Sequence, residues 1–189
     1  MDEELRRRIR AVVKESVHDF VEGFTYSNTR HPLDRLIPRE RKIRSLVGGL
    51  ETSMGTKLWE PIAKQLAIAN GFELVKGKLL RPEPMPPSLQ KTLYQLVDSR
   101  ESEKTWVNRA QVIEDLRNCV RALSSDHKKY VELVPPPAGS GVDIYLKKGE
   151  EFFAYDTKTV QPNVGDIKKF NRQIIEWYAY AIYGDPEIH

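Results

Sequence analysis

The stretch Gly141–Lys158, with the sequence GVDIYLKKGEEFFAYDTK, predicts two β-strands joined by a turn. Aromatic and β-branched residues on both sides of KKGE favour strands. Asp143 lies near the start of the first apolar run, and Asp156 ends the second run, two residues before Lys158. Charged residues are unusual in a hairpin that only fills a core, so these three are candidates for chemistry.

Strand alternation places Asp156 and Lys158 on the same side of the second strand. For a turn centred on residues 148–149, we expect Asp143 to lie near residues 151–153, too far from Asp156 to share a site. We therefore expect a bulge, a bend or a skewed register to bring the two aspartates together.

Two convergent aspartates repel each other in a partly buried setting, and a hard divalent cation relieves that repulsion. Mg²⁺ takes one or two carboxylates together with waters and phosphate oxygens. A lysine beside the cation, here Lys158, can position or deprotonate a water or stabilise developing negative charge. Asp143, Asp156 and Lys158 are therefore predicted to hydrolyse a phosphodiester with Mg²⁺ as cofactor.

Asp143 followed by Asp156-Thr157-Lys158 resembles the D…(D/E)xK signature of the PD-(D/E)XK nuclease superfamily, with Val142 in place of the usual proline. The blocks IRSLVGGLETSMGTKLWEPIAKQLAIANGFEL (43–74) and DTKTVQPNVGDIKKFNRQIIEWYAYAIYG (156–184) resemble conserved blocks of the TdeIII-like family of type II restriction endonucleases. The resemblance implies cleavage of duplex DNA at a short palindromic site, GGNCC in that family, leaving 5′-phosphates.

The order of helices, then strands, then a helix predicts an α/β or α+β fold. The resemblance specifies a restriction-endonuclease-like core with a mixed central sheet flanked by helices, in a single domain over residues 1–189 with an N-terminal helical portion at about 1–40. A palindromic target calls for two-fold symmetry, so we expect a homodimer. The resemblance also implies a cognate DNA methyltransferase as partner and a cytoplasmic location.

The upstream block supplies a further candidate acid. Superfamily members often add an acid from an upstream helix, and Glu51 in GGLETSMG matches that position as a catalytic and metal-binding residue. An ordinary surface glutamate is the alternative.

Four cations are candidates for contacts with DNA phosphates. Arg41 and Arg44 belong to a segment, residues 26–50, that has six basic residues against two acids. Lys168 and Arg172 lie near the start of the last predicted helix. Solvated polar faces are the alternative for both pairs.

Three further interpretations stay open: a repair or junction nuclease of the same superfamily, a DNA-binding module that has lost catalysis, and an interaction protein with an incidental D-x-K. The net charge of +3 excludes a polycation, and the single cysteine, Cys119, excludes an internal disulfide and fits an intracellular setting. The apolar runs are too short to span a membrane, so no membrane partner is expected.

Helical periodicity is present in five regions. Their apolar positions run from Leu5 to Phe24, from Ile43 to a stop at Asn70-Gly71, from Leu89 to Val97, from Ala110 to Leu123 and from Ile167 to Ala181. The proline-rich RPEPMPPS (81–88) is predicted to be a surface loop. Asn163 or Asp166 is predicted to cap the last helix.

Overall fold

The computed structural model describes residues 2–24, 36–102, 108–124, 130–157 and 163–188. The chain divides into two compact units. The first comprises Met1–Leu74 with Tyr155–Gln161, and the second comprises Val75–Ala154 with Pro162–His189. The single domain predicted from the sequence stays a prediction.

The first unit is mainly helical. Its elements are α1 (Glu3–Gly23), α2 (Pro38–Met54), a π-helical turn (Gly55–Trp59), α3 (Glu60–Ala69) and the short strand β1 (Glu73–Leu74). Helix α1 begins where the side chain of Asp2 accepts a hydrogen bond from the backbone N–H of Leu5 at 2.6 Å. Helix α3 ends at Asn70, and Gly71 follows with φ +77°, so the predicted stop is confirmed.

The glycines in the middle of the upstream block do not end the helix there. Helix α2 continues through Gly48 and Gly49 and passes directly into the π-helical turn, which contacts both α1 and α2. A Cβ on Gly49 would lie 3.4 Å from Cζ of Phe20, an ordinary van der Waals distance, so Gly49 lies on the side of α2 that faces the aromatic end of α1.

The second unit combines helices and strands. Its elements are β2 (Arg81–Glu83), α4 (Pro87–Glu101), α5 (Arg109–Arg121), β3 (Glu132–Val134), β4 (Ile144–Lys148), β5 (Glu151–Tyr155) and α6 (Val164–Gly184). Asn163 accepts a hydrogen bond from the N–H of Asp166 at 3.0 Å, and the Asp166 carboxylate accepts one from the N–H of Asn163 at 3.1 Å. The predicted cap of α6 is confirmed as a reciprocal capping box.

Helices α4, α5 and α6 contact one another and form the core of this unit. Each contributes a stripe with three- and four-residue spacing. The buried residues are Leu89, Leu93, Leu96 and Val97 of α4, Val112, Leu116 and Val120 of α5, and Ile175, Ala179 and Ile182 of α6. The C-terminal segment contacts α5 through Arg117, which donates hydrogen bonds to the carbonyls of Pro186 and Ile188 at 3.1 and 2.6 Å.

The proline-rich segment 81–88 is not simply a surface loop, and that prediction was wrong. Arg81–Glu83 forms β2 and pairs antiparallel with β3, with Pro82 opposite Leu133. Proline is tolerated because each strand of a two-stranded pair is an edge strand. Pro87 then starts α4 at a position where its missing N–H costs nothing.

The predicted hairpin is present, but its turn lies one residue later than expected. Lys148 ends β4 and Glu151 begins β5, so the turn is Gly149-Glu150. Gly149 has φ +61°, which fits the glycine-first class of two-residue turns. The strands are five residues each. The expectation that a bulge, a bend or a skewed register brings Asp143 and Asp156 together stays a prediction.

The described part of the chain is α+β, with helices, the antiparallel pair β2–β3 and the β4–β5 hairpin, as predicted at that level. Among the described residues, no helix has the length and apolar character needed to cross a membrane.

Candidate active site

Strand β4 is anchored in the second unit on one face and along one edge. Ile144 and Leu146 point to the same face and are only 3% and 4% exposed. On the edge, the N–H of Val75 donates a hydrogen bond to the carbonyl of Tyr145 at 3.0 Å. Because β5 pairs along the other edge, β4 is a rigid platform for any group at its ends.

The opposite face of the hairpin carries an aromatic pair and a cation. The ring centroids of Tyr145 and Phe152 lie 5.7 Å apart, and Nζ of Lys147 lies 5.3 Å from the centroid of Phe152. A turn at Gly149-Glu150 would place Lys147 directly opposite Phe152 and Tyr145 diagonal to Phe152, which agrees with both contacts. Tyr145 and Lys147 were not singled out from the sequence, although they alternate along β4 and so share one face of that strand.

Asp143 directly precedes β4, and Asp156 directly follows β5. Both are half-buried and both take part in interactions within the described chain. Lys158 lies outside the described residues. The described ranges hold no group of three or more His, Cys, Asp or Glu side chains that could bind a metal ion. The predicted site residues belong to different compact units: Asp143 to the second, and Glu51, Asp156 and Lys158 to the first. Whether they form one site therefore stays a prediction.

Glu51 and the two upstream arginines share helix α2. Arg44 and Glu51 are exposed, and Arg41 is half-buried. A separation of seven residues is close to two helical turns, so Arg44 and Glu51 lie on nearly the same line, about 10 Å apart along the axis. The structure thus places the candidate acid on the same helical face as a candidate DNA contact.

Lys168 and Arg172 lie one turn apart on α6 and are both exposed. Nε of Arg172 donates a hydrogen bond to Oε1 of Glu176 at 3.1 Å, and its guanidinium lies 5.6 Å from the ring centroid of Tyr94. The hydrogen bond to Glu176 raises the pKa of Arg172. Arg172 therefore links α6 to α4, a role that its sequence position did not indicate.

The environment of Tyr145 predicts a change in alkaline stability. Burial raises the pKa of its phenol, so the folded protein keeps the proton at a pH where the unfolded chain, with a pKa of about 10, loses it. This contribution to stability is complete below a pH of about 10 and is lost as the pH rises through the raised value. We expect Tyr145→Phe to lessen the fall in stability above that pH.

Urea midpoints at pH values of about 8 and about 10.5, on either side of the ordinary phenol pKa, measure this effect. Tyr130→Phe is the control, because Tyr130 is 80% exposed. Equal pH dependence in the wild type and Tyr145→Phe would contradict the assignment.

Carboxylates at the ends of a hairpin are candidate groups for the hydrolysis of a phosphodiester. The family model described as "Type II restriction endonuclease, HinfI" matches residues 1–188. The chain belongs to this family and is a site-specific deoxyribonuclease. The prediction of a type II restriction endonuclease is confirmed, but the match is not to the TdeIII-like family. No curated protein and no solved structure matches the chain.

Proposed function

We propose that the chain hydrolyses phosphodiester bonds of duplex DNA at a short palindromic sequence and leaves 5′-phosphates. In this proposal Asp143 and Asp156 hold Mg²⁺, Lys158 assists the attacking water, and Glu51 is a supporting acid. The core around these residues is that of the PD-(D/E)XK superfamily. The geometry of the β4–β5 hairpin is the observation that carries the proposal.

The register of the hairpin supports the pairing of the two aspartates. A two-residue turn would pair Lys148 with Glu151, and strands of five residues each would then end with Ile144 opposite Tyr155. One further step in the same register sets position 143 opposite position 156. Directly opposite residues in such a pair have Cβ atoms about 5 Å apart, which suits two carboxylates that share one cation.

The donor chemistry fits Mg²⁺. Asp143 and Asp156 are half-buried carboxylates, and this cation prefers oxygen ligands. It needs only one or two carboxylates besides waters and phosphate oxygens, so a pair is sufficient. When bound, Mg²⁺ would polarise the scissile phosphate and favour ionisation of a water. The role of Asp143 and Asp156 is to fix the position of this chemistry at the end of a rigid hairpin.

Lys158 follows Asp156 by two residues, so in an extended segment the two side chains share a face. Its ammonium group would then hold the attacking water and offset the negative charge that develops on the phosphate. Arg41, Arg44, Lys168 and Arg172 are proposed to contact flanking phosphates.

A palindromic target supports a homodimer, because a two-fold axis matches two identical half-sites. The partner activity would be a cognate DNA methyltransferase, in a cytoplasmic restriction-modification system. The GGNCC sequence is not carried over, because it depended on the TdeIII-like resemblance.

The test is cleavage of a mixed-sequence plasmid library with Mg²⁺, followed by sequencing of the ends. We expect cuts at one short palindrome with 5′-phosphate ends, and a rate loss on the order of 10²-fold in Lys158→Ala. Lys148→Ala is the control, because Lys148 is exposed at the end of β4. Cleavage of only branched or damaged DNA would indicate a repair nuclease, and an unchanged rate in Lys158→Ala would refute the assignment of this lysine.

A further inference from the structure

Helix α2 has a sequence that does not favour its own stability. Its first two turns carry four cations, Arg39, Arg41, Lys42 and Arg44, against the single acid Glu40. Cations are unfavourable near a helix N-terminus, because the helix dipole is positive there. Two glycines in the helix interior lower helix propensity further. Residues that weaken a helix are commonly retained for function.

The two adjacent glycines of α2 have different environments. A Cβ on Gly49 would make ordinary van der Waals contacts, 3.4 Å from Phe20 and 3.7 Å from Phe24, so this position faces the aromatic end of α1. At Gly48 a Cβ would meet no described atom within 4 Å. Within the described part of the chain, packing therefore gives no reason for the missing side chain of Gly48.

Gly48 lies on the face that carries the candidate DNA contacts. Arg41, Arg44, Gly48 and Glu51 are separated by three, four and three residues, the spacing of a single helical face. This stripe is about 15 Å long, which matches the axial length of about four nucleotides of one strand. It has cations at one end, a glycine in the middle and an acid at the other end.

We propose that a DNA sugar-phosphate backbone crosses α2 at Gly48, where the missing side chain permits close approach. Arg41 and Arg44 contact phosphates on one side of the crossing, and Glu51 faces the reacting phosphate on the other. Gly48 is thus a positioning residue for the substrate. The role given to Glu51 rests on the proposed function, whereas the crossing itself requires only that the substrate is DNA.

The experiment compares Gly48→Ala, Gly48→Gln and Gly49→Ala. Stability is measured by urea unfolding, and binding is measured with a labelled mixed-sequence duplex over a series of salt concentrations. We expect Gly48→Ala to be at least as stable as the wild type, because alanine favours helix. Its single-turnover cleavage rate should fall on the order of tenfold to 10²-fold, because the added methyl group displaces the DNA by about 1 Å.

Gly48→Gln should bind the duplex more weakly still, and the slope of its salt dependence should fall by about one for each phosphate that the protein no longer neutralises. Gly49→Ala is the matched control, because its methyl group would contact Phe20 rather than the DNA, so it should cleave and bind the duplex like the wild type. Wild-type cleavage and binding in both Gly48 variants would overturn the proposal, and so would equal losses of the cleavage rate in Gly48→Ala and Gly49→Ala. Binding is measured without Mg²⁺ and does not depend on catalysis. The binding result therefore tests the crossing at Gly48 even if the proposed catalytic residues are wrong.

Discussion

Asp156→Asn is expected to slow Mg²⁺-dependent DNA cleavage by about 10²–10³-fold, the usual effect of removing one group that stabilises transition-state charge. Asparagine keeps the shape of the side chain but removes its negative charge, so the proposed cation loses half of its carboxylate pair. The measurement is the single-turnover rate on supercoiled plasmid, with urea unfolding to confirm that the variant folds. Asp143→Asn should show a loss of similar size.

The double variant should lose little more than either single variant, because groups that act as a unit are strongly non-additive. Glu150→Gln in the hairpin turn is the matched control, since it removes one negative charge from an exposed position of the same hairpin. Cleavage by Asp156→Asn at the wild-type rate would exclude Asp156 from the chemistry. Equal losses in Glu150→Gln and Asp156→Asn would point to an effect of charge alone.

Leu116→Ala is expected to lower the free energy of unfolding by about 2–5 kcal/mol. Leu116 is 0% exposed and lies in the core where α4, α5 and α6 meet, so the truncation leaves a cavity that rigid helices fill only partly. In a protein of this size the melting temperature should fall by about 2–4 °C per kcal/mol. Urea and thermal unfolding followed by far-ultraviolet circular dichroism measure both quantities.

Leu133→Ala is the control for this stability prediction. It makes the same chemical change in the same unit, but Leu133 is 47% exposed, so we expect a loss below about 1 kcal/mol. Similar losses in the two variants would show that the α4–α6 core does not dominate the measured transition.

The elements that depend on local signals were predicted well from the sequence. Apolar spacing predicted α1, α4, α5 and α6. A helix that buries one face has apolar residues at every third or fourth position, and this pattern is visible within a short stretch of sequence. The stop at Asn70-Gly71 and the cap at Asn163 were also predicted from local signals. A short polar side chain can bond the free N–H groups at the start of a helix, and glycine adopts the backbone conformation that ends one. The segments that form β3, β4 and β5 were recognised from their composition.

The elements that depend on distant partners were not predicted. Strand β2 contains Pro82 and exists through its pairing with β3, about fifty residues later, which no local pattern shows. The turn of the hairpin was misplaced by one residue, because Lys148 and Glu150 are both acceptable beside Gly149. In the candidate site, the acids could be named from the sequence, but whether they face each other depends on the position of the turn and on the strand register. The link between Arg172 and Tyr94 joins two helices and also had no local signal.

The π-helical turn at Gly55–Trp59 has a consequence for comparing relatives of this chain. Such a turn holds about one residue more than an α-helical turn, and each residue rotates a helix by about 100°. Deleting one residue here would leave both flanking helices intact but would rotate everything after it, including the apolar side of α3, away from α1. Evolution should therefore conserve the number of residues in this turn more strictly than their identity, and alignment gaps should be rare between positions 55 and 59.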